Sequence, residues 1–316
     1  MALSVSVVVP NFNGSSLLLR NLPSIISALK NAEFELIVCD DASTDDSISM
    51  LRKNFPEAKI VLSESNGGFS KNCNRGIAAA KNDLIFLVNS DVMLSENYFE
   101  TLFIHFENPE VFSINGKICS PDGTTIDAAK FPAIGFTNLN CTLNYETINE
   151  SDETALPTFF PSGANVLMRR DFLNQLNGFN EIYSPYYFED ADLGLRAWKH
   201  GWLCLYDPRA VCSHAISSTI KSTSLSDKIK IVSRRNKLLF HQIHLHGFEK
   251  FCWRLKIFLS NLFNRIRNNK TETAAYAEYR LLKRQLKHRE EGNTLSLAEV
   301  RNKIASMLPP SAIRKF

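Results

Sequence analysis

Several familiar signals are missing from this sequence, and each absence narrows what it encodes. The seven cysteines, Cys39, Cys73, Cys119, Cys141, Cys204, Cys212 and Cys252, form no C-x-x-C pair. Several lie inside apolar runs such as LIVCD and WLCLYD, so they read as buried thiols of a reducing compartment. No stretch reaches the roughly 18 uncharged apolar residues that a transmembrane helix needs. The start MALSVSVVVPNFNG has no basic region followed by a long apolar run, so no signal peptide is expected. There is no G-x-x-x-x-G-K-[ST] phosphate loop and no G-x-G-x-x-G after the first apolar run, so a nucleotide bound here is held differently. Internal repeats and low-complexity linkers are absent as well.

What is present is ordinary in bulk and uneven in distribution. The 316 residues, 44% hydrophobic, suffice for one large domain or two modest ones. The net charge of +3 hides a split: residues 1–220 carry 15 Lys+Arg against 26 Asp+Glu, and residues 221–316 carry 21 against 7. A basic C-terminal region behind an acidic body implies an anionic partner for that region, a membrane surface or a nucleic acid. Nucleic acid is the weaker reading, because no recognised binding fold accompanies the charge.

The first hundred residues alternate. VSVVVP and ELIVCDD read as strands buried on both faces, and KIVLSES and LIFLVNSD continue the alternation; SSLLLRNLPSIISALKNA and GGFSKNCNRGIAAAK read as helices among them. That order predicts an α/β fold with a mostly parallel sheet flanked by helices, binding its ligand at the carboxyl ends of the strands. Asn11, Asn13, Asp40, Asp41, Ser65, Asn66, Asn89, Ser90 and Asp91 follow those ends and share one rim. Residues 110–160 show no clear period. PSGANVLMRRDFLNQLNGF reads as a strand, a helix and a stop at Gly178. A boundary near residue 220, within SSTIKSTSLSD, separates a domain over 1–220 from a basic, mainly helical region over 221–316.

The chemistry concentrates in FEDADLGLRAWKHGW, residues 188–202. A helix start accounts for one or two of Glu189, Asp190 and Asp192. Three carboxylates beside Tyr186, Tyr187 and Phe188 must repel, which marks a candidate acid/base or metal site. Arg196, four residues past Asp192, is placed for an ion pair. Asp91 ends an apolar strand, where it either caps a turn or holds Mg²⁺ or Mn²⁺ against a diphosphate. Asp41 lies beside a helix start capped by Ser43 or Thr44, or contacts a ligand. His214 is either a buried, hydrogen-bonded histidine or a metal ligand.

The ordered set VVVPNFN, LIVCDDASTDDS, NGGFSKNCNRGI, FLVNSD, PSGANVLMRRDF, GFNEIYSPYYFEDADLGLRAWKHGW and then His214 resembles the family 2 glycosyltransferases, inverting enzymes of GT-A-type fold, over roughly residues 3–220. The likeness is to bacterial rhamnosyl and glycosyl transferases of surface polysaccharide synthesis. It implies that Pro10, Asn11, Asn13, Asp41, Asn66, Gly68, Asn74 and Ser90 hold the donor nucleotide and sugar. By the same likeness Asp190 is the catalytic base. Beside it, Glu189 and Asp192 would orient the acceptor or hold Asp190 through donors such as Arg196, and Gly163 is grouped with these orienting residues. Asp91 and His214 hold the Mg²⁺ or Mn²⁺. Where many relatives carry D-x-D, this chain has Asn89, Ser90 and Asp91, a single carboxylate.

The expected activity is transfer of a sugar from a UDP- or dTDP-sugar to a glycan or lipid-linked hydroxyl, in the cytoplasm or at the inner face of the cell membrane. Two rivals stand beside it. A sugar-nucleotide nucleotidyltransferase would carry a charged Gly-rich loop after the first strand, which PNFNGSS is not. A catalytically inactive scaffold subunit would tolerate loss of Asp190.

In the C-terminal region GFEKFCWRLKIFLSNLFNRIR sets Phe248, Phe251, Leu255, Phe258, Leu259, Leu262, Phe263 and Ile266 at helical spacing among basic residues. Residues 248–267 therefore read either as an interfacial membrane helix or as a core-packing or dimer helix. TAAYAEYRLLKRQLKHREE reads as a solvated helix or a short coiled coil.

Overall fold

The fold follows from four short aliphatic runs that cannot face water on either side. In the computed structural model, which describes residues 4–144, 155–214, 223–286 and 294–308, these become β1 (Val5–Asn11), β2 (Phe34–Asp40), β3 (Lys59–Leu62) and β4 (Leu84–Val88). They pair in parallel in the order β4-β1-β2-β3. The helices α1 (Ser15–Ala28), α2 (Ser47–Asn54) and α3 (Phe69–Ala79) connect them. Every residue of β4 is buried, as a strand covered on both faces requires.

The stretch without a clear period, 110–160, completes the sheet. After β5 (Val92–Leu94) come β6 (Val111–Cys119), β7 (Thr125–Asp127), the hairpin β8 (Lys130–Gly135) and β9 (Asn138–Asn144), and β10 (Leu156–Pro157). Then follow β11 (Asn165–Arg169), α4 (Arg170–Gln175), α5 (Glu189–Lys199) and β12 (Leu203–His214). The full order is β10-β12-β6-β11-β4-β1-β2-β3 in a 10-stranded sheet, with β5 on β12 and β7 on β6. Because β11 runs antiparallel to β4, with Asn165 opposite Val88, the start of β11 lies at the same rim as the end of β4. Pairing of His214 with Val92 brings the end of β12 there too.

The basic region forms α6 (Thr223–His244), α7 (Gly247–Ile266), α8 (Lys270–Leu282) and α9 (Leu297–Ser306). The sequence boundary near residue 220 lies outside the described residues, as do residues 287–291 of the segment read as a solvated helix. That solvated reading is corrected for α8: Ala275 and Tyr279 are buried, and the Tyr279 hydroxyl donates to Gln242 at 3.0 Å. Leu239, Phe240, Trp253, Tyr279, Val300 and Ile304 belong to the same core as the sheet strands. α9, which the sequence reading omitted, starts with a Ser296/Glu299 capping box. Among the described residues no helix is long and apolar enough to cross a membrane.

Candidate active site

At the carboxyl ends of β1 and β2 short polar side chains tie the loops together. Asn11 is buried and donates to Asp40 at 2.8 Å. Asn13, with φ +53°, is exposed; its side-chain oxygen accepts from Thr44 N–H at 2.7 Å while its own N–H donates to the Ser43 hydroxyl at 2.8 Å. Ser43 therefore serves the β1 loop rather than capping α2, where Asp45 accepts from Ser47 N–H at 3.0 Å. Pro10 is half-buried beside them. Ser90 is half-buried after β4, and its carbonyl accepts from Asn21 at 2.8 Å.

Asp41 sits at the start of α3. Its carboxylate accepts from the N–H groups of Gly67 at 3.0 Å and Gly68 at 2.9 Å and pairs with Arg75 at 2.6 Å. Three donors satisfy it at the positive end of a helix, where an anion is favoured. Asn66 is exposed, and its side chain accepts from Gly68 N–H at 3.2 Å. Gly68 has φ +83°, and a Cβ there would stand 2.7 Å from the Pro185 Cα. Only glycine lets the α3 start approach the loop before α5 so closely. Gly68→Ala is expected to destabilise the fold by about 1–3 kcal/mol, read from denaturant unfolding, and to weaken donor binding in the same variant.

Asn74, expected at the donor, links two elements. Its side chain accepts from Phe179 N–H at 2.9 Å and donates to the Phe179 carbonyl at 3.0 Å, fastening α3 to the loop after α4. A side chain so engaged holds two elements together.

α5 carries the acidic cluster. Before it the backbone takes φ +75° at both Tyr187 and Phe188, a conformation costly for bulky residues. Asn236 of α6, fully buried, holds this loop: its side-chain amide lies within hydrogen-bond distance of the carbonyls of Tyr183 at 2.6 Å and of Tyr186 and Tyr187 at 2.9 Å. Arg235 adds a bond to the Ser184 carbonyl at 2.7 Å. The strained loop therefore persists because its neighbours over-determine it.

The three carboxylates lie in three different surroundings. Asp192 is fully buried, paired with Arg196 at 2.7 Å, and accepts from the Tyr183 hydroxyl at 3.2 Å. His244 Nε2 lies 2.9 Å from it. Burial opposes its charge, but Arg196 and the hydrogen bonds win and hold its carboxyl well below the usual range. The Asp192–Arg196 pair is present as expected. Both residues are buried beneath α5.

Glu189 is buried with one oxygen lacking a hydrogen-bond partner among the described residues, and burial, then the charge of Asp190, push its carboxyl well above the ordinary range. Asp190 is half-buried. One oxygen accepts from Gly163 N–H at 3.1 Å, and the other accepts no hydrogen bond among the described residues. Burial raises its carboxyl to about 6, against the lowering influence of the Gly163 N–H and Lys130. A Cβ at Gly163 would stand 2.9 Å from the Asp190 carboxylate and 3.1 Å from the Phe69 ring, so a side chain there would push on the carboxylate.

Asp91 and His214 meet across β5 and β12 with 3.0 Å between Oδ1 and Nε2, and the hydrogen bond to Asp91 raises the His214 imidazole. Among the described residues no group of three His, Cys, Asp or Glu could hold a metal ion. One carboxylate and one imidazole fit an open site in which diphosphate oxygens and waters complete the shell of Mg²⁺ or Mn²⁺.

Two further charged groups went unread in the sequence. Asp127 pairs with Lys130 at 2.6 Å and accepts from the Ser162 hydroxyl at 3.2 Å. Its charge acts on both Asp190 and His214. A D-x-x-K spacing in an unpatterned stretch carries no signal that would have found them.

The family model for "Glycosyltransferase like family 2" matches residues 2–234. The chain belongs to this family. The transferase is 27% identical over 208 residues, 58% of its length and 67% of the relative's, to the N-acetylglucosaminyl-diphospho-decaprenol L-rhamnosyltransferase of Mycobacterium tuberculosis. It is 30% identical over 117 residues, 36% of each chain, to the poly(ribitol-phosphate) beta-N-acetylglucosaminyltransferase TarP of Staphylococcus aureus. Among solved structures it resembles the mannosyltransferase PcManGT from Pyrobaculum calidifontis, determined with GDP-Man and Mn²⁺. The TM-score is 0.56 at 18% identity, over 98% of this chain and 82% of that one. The fold of the transferase is GT-A, as the family resemblance implied.

Proposed function

We propose that the transferase moves a sugar from a UDP- or dTDP-sugar, with inversion, to a hydroxyl of a glycan or lipid-linked acceptor, Asp190 acting as base. The observation that carries this reading is the division of labour among the three carboxylates. Asp192 is balanced by Arg196, and burial with the charge of Asp190 pushes the Glu189 carboxyl well up. Asp190 is thereby left as the anion whose second oxygen has no partner among the described residues. Environments that push neighbouring carboxyl groups apart are how acid and base roles are separated.

Inversion is one in-line displacement. As the acceptor oxygen bonds to the anomeric carbon, Asp190 takes its proton, and the bonding pair to the old oxygen leaves with the nucleoside diphosphate. Pro10, Asn11, Asn13, Asp41, Asn66, Gly68 and Ser90 form the donor rim, and Asp91 with His214 would hold Mg²⁺ or Mn²⁺. Such a cation supplies neutralisation of the charge that develops on the diphosphate. The lipid-linked acceptor is supported by the name of the mycobacterial relative, a transferase to a diphospho-decaprenol-linked sugar. Residues 1–220 carry this chemistry, and nucleotide-sugar supply and the buried free thiols favour a cytoplasmic site of action.

The test is nucleoside diphosphate release from a panel of UDP-, dTDP- and GDP-sugars with and without Mn²⁺. Metal-stimulated release from one UDP- or dTDP-sugar is expected. Release only from a GDP-sugar would overturn the donor assignment. Tight donor binding with no turnover in the presence of acceptor lipids would favour a scaffold.

A further inference from the structure

The outward face of α7 is the largest apolar feature that the reaction leaves unused. Phe248, Phe251, Leu255, Phe258, Leu259, Leu262, Phe263 and Ile266 are between 50% and 74% exposed, a stripe at i, i+3, i+4 and i+7 spacing. The opposite face is committed to the protein: Trp253 is buried, and its ring stacks on His241 of α6 at 5.7 Å. A second element extends the stripe, since Phe136 at the tip of the β8–β9 hairpin is exposed and lies 6.0 Å, ring to ring, from Phe248. Soluble monomers seldom leave so many large apolar side chains contiguous.

Charge decides what covers this face. On a helical wheel Arg254 and Arg265 border the stripe on one side and Lys256 and Arg267 on the other, all exposed. The Arg267 guanidinium lies 4.1 Å from the Phe263 ring centroid, at the edge of the apolar band. Cations on both flanks would repel a second copy docked on the same stripe, whereas they complement an anionic lipid surface while the rings enter the acyl boundary.

We propose that α7 and the Phe136 hairpin tip form a monotopic docking surface for an anionic lipid bilayer, with α7 lying in the plane of the interface. The surface stands apart from the chemistry at Asp190, so failure of the glycosyl-transfer reading leaves it intact. It also gives α7 a route to the active site, because Trp253 rests on α6, whose Asn236 holds the loop before Asp190.

The experiment is flotation of the full chain with vesicles of phosphatidylcholine, with and without phosphatidylglycerol, beside the double variant Phe251→Glu/Leu259→Glu. Both side chains are exposed, so the variant should keep the wild-type circular dichroism and melting temperature. The wild type is expected to float with the phosphatidylglycerol vesicles, more weakly as salt rises, and the variant to bind about 10²-fold less. Failure of the wild type to float would overturn the proposal, as would equal flotation of the variant. Concentration-dependent self-association in sedimentation, abolished by the variant and without vesicle binding, would assign the face to a second copy instead.

Discussion

Asp190→Asn is expected to lower sugar transfer about 10²- to 10⁴-fold, the span that a positioned base supplies, with little change in donor affinity. The substitution is close to isosteric. The new amide oxygen can still accept from Gly163 N–H at the observed 3.1 Å, so a loss of activity reports on the proton acceptor and not on the shape of the site. A second readout separates catalysis from structure. With the Asp190 carboxyl raised to about 6, kcat of the wild type should climb as pH rises through that value, because the base must be ionised. The residual activity of the variant should lose that limb.

Stability moves the opposite way. A carboxyl whose folded pKa is raised binds its proton more tightly in the folded state, so between about 4 and 6 rising pH costs stability, and the cost persists above. Asp190→Asn should therefore unfold at the same or a higher temperature than the wild type at neutral pH. A variant that melted earlier and retained its pH limb would place the base elsewhere.

How much of this was legible in the sequence depended on whether local pattern or distant contact set each feature. β1, β2 and β4 were readable because both faces of a parallel strand are covered, which leaves an unbroken aliphatic run. The Asp91–His214 meeting followed from the order of motifs, since strand-end loops of this fold face one rim. The Asp192–Arg196 pair followed from helical spacing. Their burial did not, because it is imposed by α6, which arrives some 50 positions later in sequence.

The stretch around Asp127 and Lys130 hid for a related reason. β7 has three residues and β10 two, too short for an alternation to show, and both are defined by partners far along the chain. Asn236 sits in a basic helical run, yet it is fully buried against three carbonyls. No periodicity distinguishes a polar residue aimed at a strained loop from one aimed at water.

That dependence on α6 leads to the second large effect. Asp192→Ala is expected to destabilise the fold by about 3–5 kcal/mol, because it strands Arg196 as a buried cation and removes the acceptor for the Tyr183 hydroxyl. Arg196 would keep its bonds to the carbonyls of Leu176 at 2.8 Å and Gly178 at 2.9 Å, but those supply no countercharge. The pH dependence has a definite sign. The folded Asp192 carboxyl is held below its unfolded value, so its contribution is full above about 4 and is lost as pH falls further. Denaturant midpoints of wild type and variant should therefore differ most at neutral pH and converge in acid. Asp192→Asn tests the charge alone. It keeps the volume and an oxygen for Tyr183 but still leaves Arg196 unbalanced, so it should recover only part of the loss. If Asp192→Asn matched the wild type in stability, the pair would be dispensable and the position of α5 would rest on Asn236 and the packed core instead.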